Sequence, residues 1–147
     1  MMVKDDYLIA LDVEPKPSDM QTMVKGLTEY NAAQVGGETP SYLVATVRDR
    51  DGVMLGGLLG ATYLSWLQIQ IVWLPENLRG FGHGRALMNL AEAEGKRRGC
   101  KNAFLETYSF QALDFYKTCG YTVFSKLENM PPGGARYALT KILQRLE

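Results

Sequence analysis

Two hydrophobic periods take turns along this chain. Apolar residues recurring at every second position predict strands at 7–13, 42–48, 53–64 and 67–74. Met20, Met23, Val24 and Leu27, three to four apart, predict a helix running to about residue 31, which Ser18 or Asp19 can cap. Glu14-Pro15-Lys16-Pro17 stops the first strand, and Gly36-Gly37 with Pro40 marks a loop after the helix. Asp49-Arg50-Asp51-Gly52 reads as a hairpin turn between the second and third strands. Gly56, Gly57 and Gly60 inside the third strand point to a bulge or a close backbone approach. In the fourth strand, 67–74, alternation puts Leu67, Ile69, Ile71 and Trp73 on one face and Gln68, Gln70, Val72 and Leu74 on the other.

The pattern then switches to a helix over 85–98 that would bury Ala86, Leu87, Leu90, Ala91 and Ala93, with Gly99 as its left-handed cap. Residues 100–107 are apolar on both faces through Ala103, Phe104 and Leu105, as in a buried central strand. Ala112, Phe115, Tyr116 and Cys119 fall at i, i+3, i+4 and i+7 of a short helix stopped by Gly120. Strands at 121–126 and 136–143, separated by Pro131-Pro132-Gly133-Gly134, close the chain. The order β, α, β, β, β, α, β, α, β, β, without repeats or linkers, predicts one mixed α/β domain over 1–147. The helix between the fourth and fifth strands demands a right-handed parallel crossover in an otherwise antiparallel sheet.

Charge narrows the function. Sixteen basic and sixteen acidic residues cancel, so the basic footprint of a nucleic-acid binder is missing. No apolar run approaches the roughly 18 residues of a membrane span and the start lacks a secretory core, so the expected compartment is the cytoplasm, without membrane attachment. Cys100 and Cys119 show neither metal spacing nor a disulfide framework. His83 is the sole histidine, so neither a metal site nor a histidine-dependent triad is expected.

The densest chemistry lies at Arg79-Gly80-Phe81-Gly82-His83-Gly84-Arg85, between the fourth strand and the following helix. Glycines let backbone N–H groups converge without Cβ interference, and a helix N-terminus adds partial positive charge, so an anion such as a pyrophosphate should sit there. The spacing fits neither G-x-G-x-x-G nor a Walker loop, since no Gly-Lys followed by Ser or Thr occurs. Arg79-x-x-Gly82-x-Gly84 after a strand and opening a helix resembles the acetyl-coenzyme A loop of the GNAT N-acetyltransferase superfamily. Ser109 to Tyr121, reading S-F-Q-A-L-D-F-Y-K-T-C-G-Y, is similar to a second segment of that family, N-x-x-A-x-x-F-Y-x-x-x-G-F/Y, with Ser109 in the asparagine position.

The resemblance implies a mostly antiparallel mixed sheet flanked by helices, with the parallel fourth and fifth strands splayed to admit the pantetheine arm. It also implies acetyl transfer from acetyl-coenzyme A to a primary amine by direct attack in a ternary complex. Phe81, Gly82, His83, Gly84 and Arg85 would give N–H groups to the pyrophosphate with Arg79 beside them, Trp73 and Leu74 would polarise the thioester carbonyl, and Ser109 would cap the helix or meet the pantetheine. Tyr116 matches the tyrosine that protonates the departing thiolate, a transfer uphill by roughly 2 kcal/mol for an ordinary phenol. Core packing would equally explain its ring.

An alkyl amine is neutral at pH 7 in only about one molecule in 2,500, so a proton acceptor is needed. Relatives often place a carboxylate on the fourth strand, where this chain has Gln68 and Gln70. Glu106 on the fifth strand is the carboxylate candidate, with a water relay as the alternative. Tyr30, Asn31, Trp66 and Gln70 are the candidate acceptor contacts, and the acceptor itself, a small molecule or a protein amine, stays open. The missing fourth-strand carboxylate also fits an acyl-coenzyme A sensor or interaction module without turnover, while zero net charge weighs against acetylation of aminoacyl-tRNA. An edge left by the closing strands would allow a homodimer.

Overall fold

The computed structural model describes residues 1–145, which fall within two compact units, Met1–Thr39 and Pro40–Glu147. In the first, β1 (Met2–Lys4) and β2 (Tyr7–Ile9) form their own antiparallel hairpin, followed by α1 (Pro17–Gln34). The strand expected over 7–13 is therefore three residues long and belongs to a separate two-stranded sheet. Asp5 adopts φ 56° in the turn, and β2 pairs with β1 instead of joining the main sheet. Pro17 opens α1, which suits proline's fixed φ, and no side chain caps the helix; Ser18 and Asp19 lie inside it. Its predicted stripe of Met20, Met23, Val24 and Leu27 is exposed.

The second unit is a six-stranded sheet in the order β3-β4-β5-β6-β8-β7, with β3 Ser41–Arg48, β4 Met54–Tyr63, β5 Trp66–Trp73, β6 Asn102–Tyr108, β7 Thr122–Glu128 and β8 Ala135–Ile142. Every neighbouring pair is antiparallel except β5 and β6, joined through α2 (His83–Arg97), as the crossover argument required. A short helix, α3 (Leu113–Thr118), links β6 to β7. Asp49 makes the β3–β4 turn: its Oδ1 accepts from Asp51 N and Val53 N, both at 2.9 Å. The β4 glycines do mark close approach, because a Cβ at Gly57 would stand 2.4 Å from Ala45 O and one at Gly56 2.6 Å from Trp73 O.

Two registers depart from the sequence reading. Leu59 pairs with Ile71 while Gly60 pairs with Ile69, so Gln70 is an extra residue in β5. This bulge flips the alternation: Leu67 and Ile69 are followed into the core by Val72 and Leu74, and Ile71 and Trp73 are exposed. On α2 the buried face is Leu87, Met88, Ala91, Glu92 and Gly95, whereas Leu90 is exposed and Ala86 and Ala93 face solvent. Gly95 sits on Leu67, and a Cβ there would come 3.2 Å from the leucine Cδ2. Glu92 is buried because Lys141 Nζ (2.6 Å) and the Tyr121 hydroxyl (3.1 Å) donate to its carboxylate.

The feature that makes a site is where β5 and β6 part. They pair only from Trp66–Asn102 to Ile69–Leu105, yet β5 stays paired with β4 to Trp73 and β6 with β8 to Tyr108. The sheet therefore opens beyond Ile69 and Leu105, at Gln70 on one side and Glu106 on the other.

Candidate active site

From Leu74 the chain makes a single 3₁₀ turn (Glu76–Leu78), passes Arg79 and enters α2 through two left-handed glycines, Gly80 at φ 83° and Gly82 at φ 86°. Nothing lies within 4 Å of a Cβ built on either, so the backbone conformation alone demands glycine there. Gly82 is the N-cap; no side chain caps the helix and its first turn holds no acidic residue. Its opening N–H groups, at His83, Gly84 and Arg85, thus keep their donors for an anion. Phe81 is exposed and its ring lies 6.2 Å from that of His83.

The two arginines of the loop are anchored. Arg79 Nε donates to Leu74 O at 2.9 Å, closing the loop onto the end of β5, and Arg85 Nη2 donates to Thr118 O at the end of α3, also at 2.9 Å. Gly84 has a different cause from its neighbours: a Cβ there would press on Phe115 at 3.0 Å, so α3 packing accounts for that glycine.

Tyr116 lies in the core, 8% exposed, edge-on to Phe115 at 5.1 Å and to Tyr121 at 6.4 Å. Burial, with the nearby Cys119 thiol adding to it, pushes its phenol up to about 12. Its hydroxyl makes no hydrogen bond to any of the described residues and is not among their sealed, unpartnered polar atoms. Glu106 is half exposed, and Arg136 Nη2 pairs with its Oε2 at 2.5 Å. The arginine partner was invisible to sequence reasoning, because it lies thirty residues away on β8 and only the register Glu106–Ala138 and Tyr108–Arg136 brings the two together.

Ser109 does not cap α3, whose N-cap is Ala112 without a side-chain bond. It instead accepts from Ala135 N at 3.0 Å, fixing the end of β6 to the start of β8. Trp66 stands edge-on to Phe104 at 5.8 Å, and Gln70 Nε2 donates to Gln68 Oε1 at 3.4 Å. Tyr30 and Asn31 lie exposed on α1, in the first unit.

The model of the acetyltransferase (GNAT) family matches residues 7–121. The chain belongs to that family. Among relatives of this GNAT acetyltransferase, acetyltransferase Atu2258 of Agrobacterium fabrum is 36% identical over 107 residues, 73% of this chain and 78% of the relative. Blasticidin-S acetyltransferase of Streptomyces morookaense is 36% identical over 93 residues, 63% of this chain and 68% of that protein. The crystal structure of an Agrobacterium tumefaciens protein assigned as an acetyltransferase, 31% identical, superposes with a TM-score of 0.85 over 92% of this chain and 99% of that one. The protein is accordingly an acyltransferase, and the family's donor is acetyl-coenzyme A. The opened β5–β6 pair and the uncapped glycine entry to α2 fit that donor.

Proposed function

We propose that this GNAT acetyltransferase is a cytoplasmic single-domain enzyme that acetylates the primary amine of a small-molecule acceptor by direct attack in a ternary complex. One observation carries the reading: the parallel strands separate after Ile69 and Leu105, beside a helix N-terminus that has no cap of its own. Bound acetyl-coenzyme A supplies an activated acetyl thioester. The N–H groups of Phe81, Gly82, His83, Gly84 and Arg85 would hold its pyrophosphate, with the Arg79 side chain bracing the loop against Leu74 O. N–H groups around Trp73 and Leu74 would orient the thioester carbonyl, and Ser109 would flank the pantetheine.

On this reading the Tyr116 hydroxyl donates a hydrogen bond to the leaving sulfur, and Glu106 takes the amine proton at its carboxylate. Trp66 and Gln70 line the approach along β5. Similarity to a blasticidin-S acetyltransferase supports a small amine as acceptor. A second reading, a donor-binding sensor without turnover, draws on Gln68 and Gln70 occupying β5 where a carboxylate would serve as base. Thiol release from acetyl-coenzyme A across an amine library, with the acetylated product identified by mass, tests the choice. Release stoichiometric with product is expected; tight donor binding with no release by any amine would favour the sensor.

A further inference from the structure

The first turn of α2 holds α3 at two points. Gly84 lies against the Phe115 ring, which a Cβ there would meet at 3.0 Å, and Arg85 Nη2 donates to Thr118 O at 2.9 Å. These attachments bracket Tyr116, since Phe115 immediately precedes it and Thr118 closes the helix after it.

α3 needs such support. It has six residues, too few to hold a helix unaided, and its N-cap Ala112 makes no side-chain bond. Its last carbonyls carry partial negative charge, which cations from elsewhere in the fold satisfy. Thr118 O takes the Arg85 guanidinium, and Cys119 O takes Lys141 Nζ at 2.7 Å. Lys141 also holds the buried Glu92 carboxylate at 2.6 Å, so it serves the core as well. Arg85 has no such second duty. It is exposed, so packing does not demand it, and it stands in the uncapped turn that opens α2.

The pyrophosphate and the thioester of acetyl-coenzyme A are joined by one covalent arm. The N–H groups that hold the first and the phenol that meets the second must therefore keep a matched separation. We propose that Arg85 is a positioning residue for the transfer step: its bond to Thr118 O fixes α3 against the start of α2 and so sets the Tyr116 hydroxyl opposite the donor sulfur. The Arg85 backbone N–H serves the pyrophosphate, whereas its side chain acts through Tyr116. The inference rests on the reading above in which Tyr116 donates a hydrogen bond to the leaving sulfur.

A double-mutant cycle tests it. Arg85→Met removes the guanidinium, leaves the backbone N–H in place and suits a helix. Single-turnover transfer is measured at saturating acetyl-coenzyme A, with the amine giving most thiol release in the library screen, for the wild type, Arg85→Met, Tyr116→Phe and the double variant. Arg85→Met should slow transfer about fivefold in the wild-type background and less than about twofold in the Tyr116→Phe background. Equal slowing in both backgrounds would overturn the proposal. So would a saturated rate unchanged by Arg85→Met, including the case in which calorimetry finds acetyl-coenzyme A bound more weakly, which would assign the side chain to the phosphates. Failure of the underlying reading looks different: Tyr116→Phe alone would leave the rate unaltered, or no amine would release thiol.

Discussion

Tyr116→Phe keeps a packed ring and deletes a hydroxyl that has no partner among the described residues, so it isolates chemistry from packing. Burial has pushed the phenol up to about 12. Handing its proton to a thiolate of ordinary pKa, near ~8.5, would climb roughly 3.5 units, or about 5 kcal/mol. A hydrogen bond to the sulfur avoids that climb, and the phenol keeps its proton throughout the working pH range. We therefore expect kcat to fall about 10- to 100-fold, or roughly 1.4–2.7 kcal/mol, at or below the bottom of the ~10²–10⁴-fold range for proton donation. The fall should be the same from pH 7 to 10, because Tyr116 does not ionise there. Stability should change by less than ~1 kcal/mol near neutrality, since no buried partner is orphaned. A raised phenol contributes stability that is complete below the unfolded value of about 10 and is lost as pH rises toward 12, so the variant should resist alkaline unfolding slightly better. Single-turnover thiol release gives the rate and calorimetry the stability. An unchanged rate with chemistry limiting would reduce Tyr116 to a packing residue, and a melting temperature lowered by more than ~5 °C would show that the hydroxyl is structural.

Glu106→Gln should lower kcat and remove the acid limb of its pH profile; wild-type rates across pH would mean that the proton leaves by another route. Gly82→Val forces a β-branched residue to φ 86° and should weaken acetyl-coenzyme A binding at least 100-fold by calorimetry, while full affinity in a folded variant would remove the loop from the donor site. Gly84→Ala should destabilise the protein by about 1 kcal/mol despite alanine's better helix propensity, and Phe115→Leu in the same chain should recover the loss, because the added Cβ meets that ring at 3.0 Å; denaturant titration reads both. Glu92→Met leaves the Lys141 ammonium unpaired and should cost about 3 kcal/mol, whereas the Glu92→Met, Lys141→Met double variant should be more stable than that single one; additive losses would show that the pair is uncoupled.

Legibility along the chain followed the range of the interactions involved. The β3–β4 turn could be read because its determinants, Asp49 and Gly52, act within four residues. The parallel crossover could be read because only a helix of this length connects strands that run the same way. The bulge at Gln70 could not: one extra residue changes neither composition nor period enough to notice, yet it reverses which side chains of β5 reach the core. The face of α2 was misjudged for a related reason. Hydrophobicity assigns Leu90 inward and Glu92 outward, and the order is reversed by Lys141 and Tyr121, partners 49 and 29 residues away.

The same rule divides the site. The glycine loop lies between one strand end and the next helix start, so its left-handed glycines and its free N–H groups follow from local residues, whereas Gly84 and the Arg85 side chain also answer to Phe115 and Thr118. Glu106 was recognisable as a carboxylate on a buried strand, but its surroundings come from β7 and β8. What those strands add changes the chemical question, because the carboxylate is already half committed: Arg136 occupies Oε2 and leaves the other oxygen for an amine. The orientation of the carboxylate then rests on that ion pair, so Arg136→Ala should lower kcat, and adding Glu106→Gln in the same chain should cost little more. Fully additive losses in the double variant would separate Arg136 from the proton-removal step.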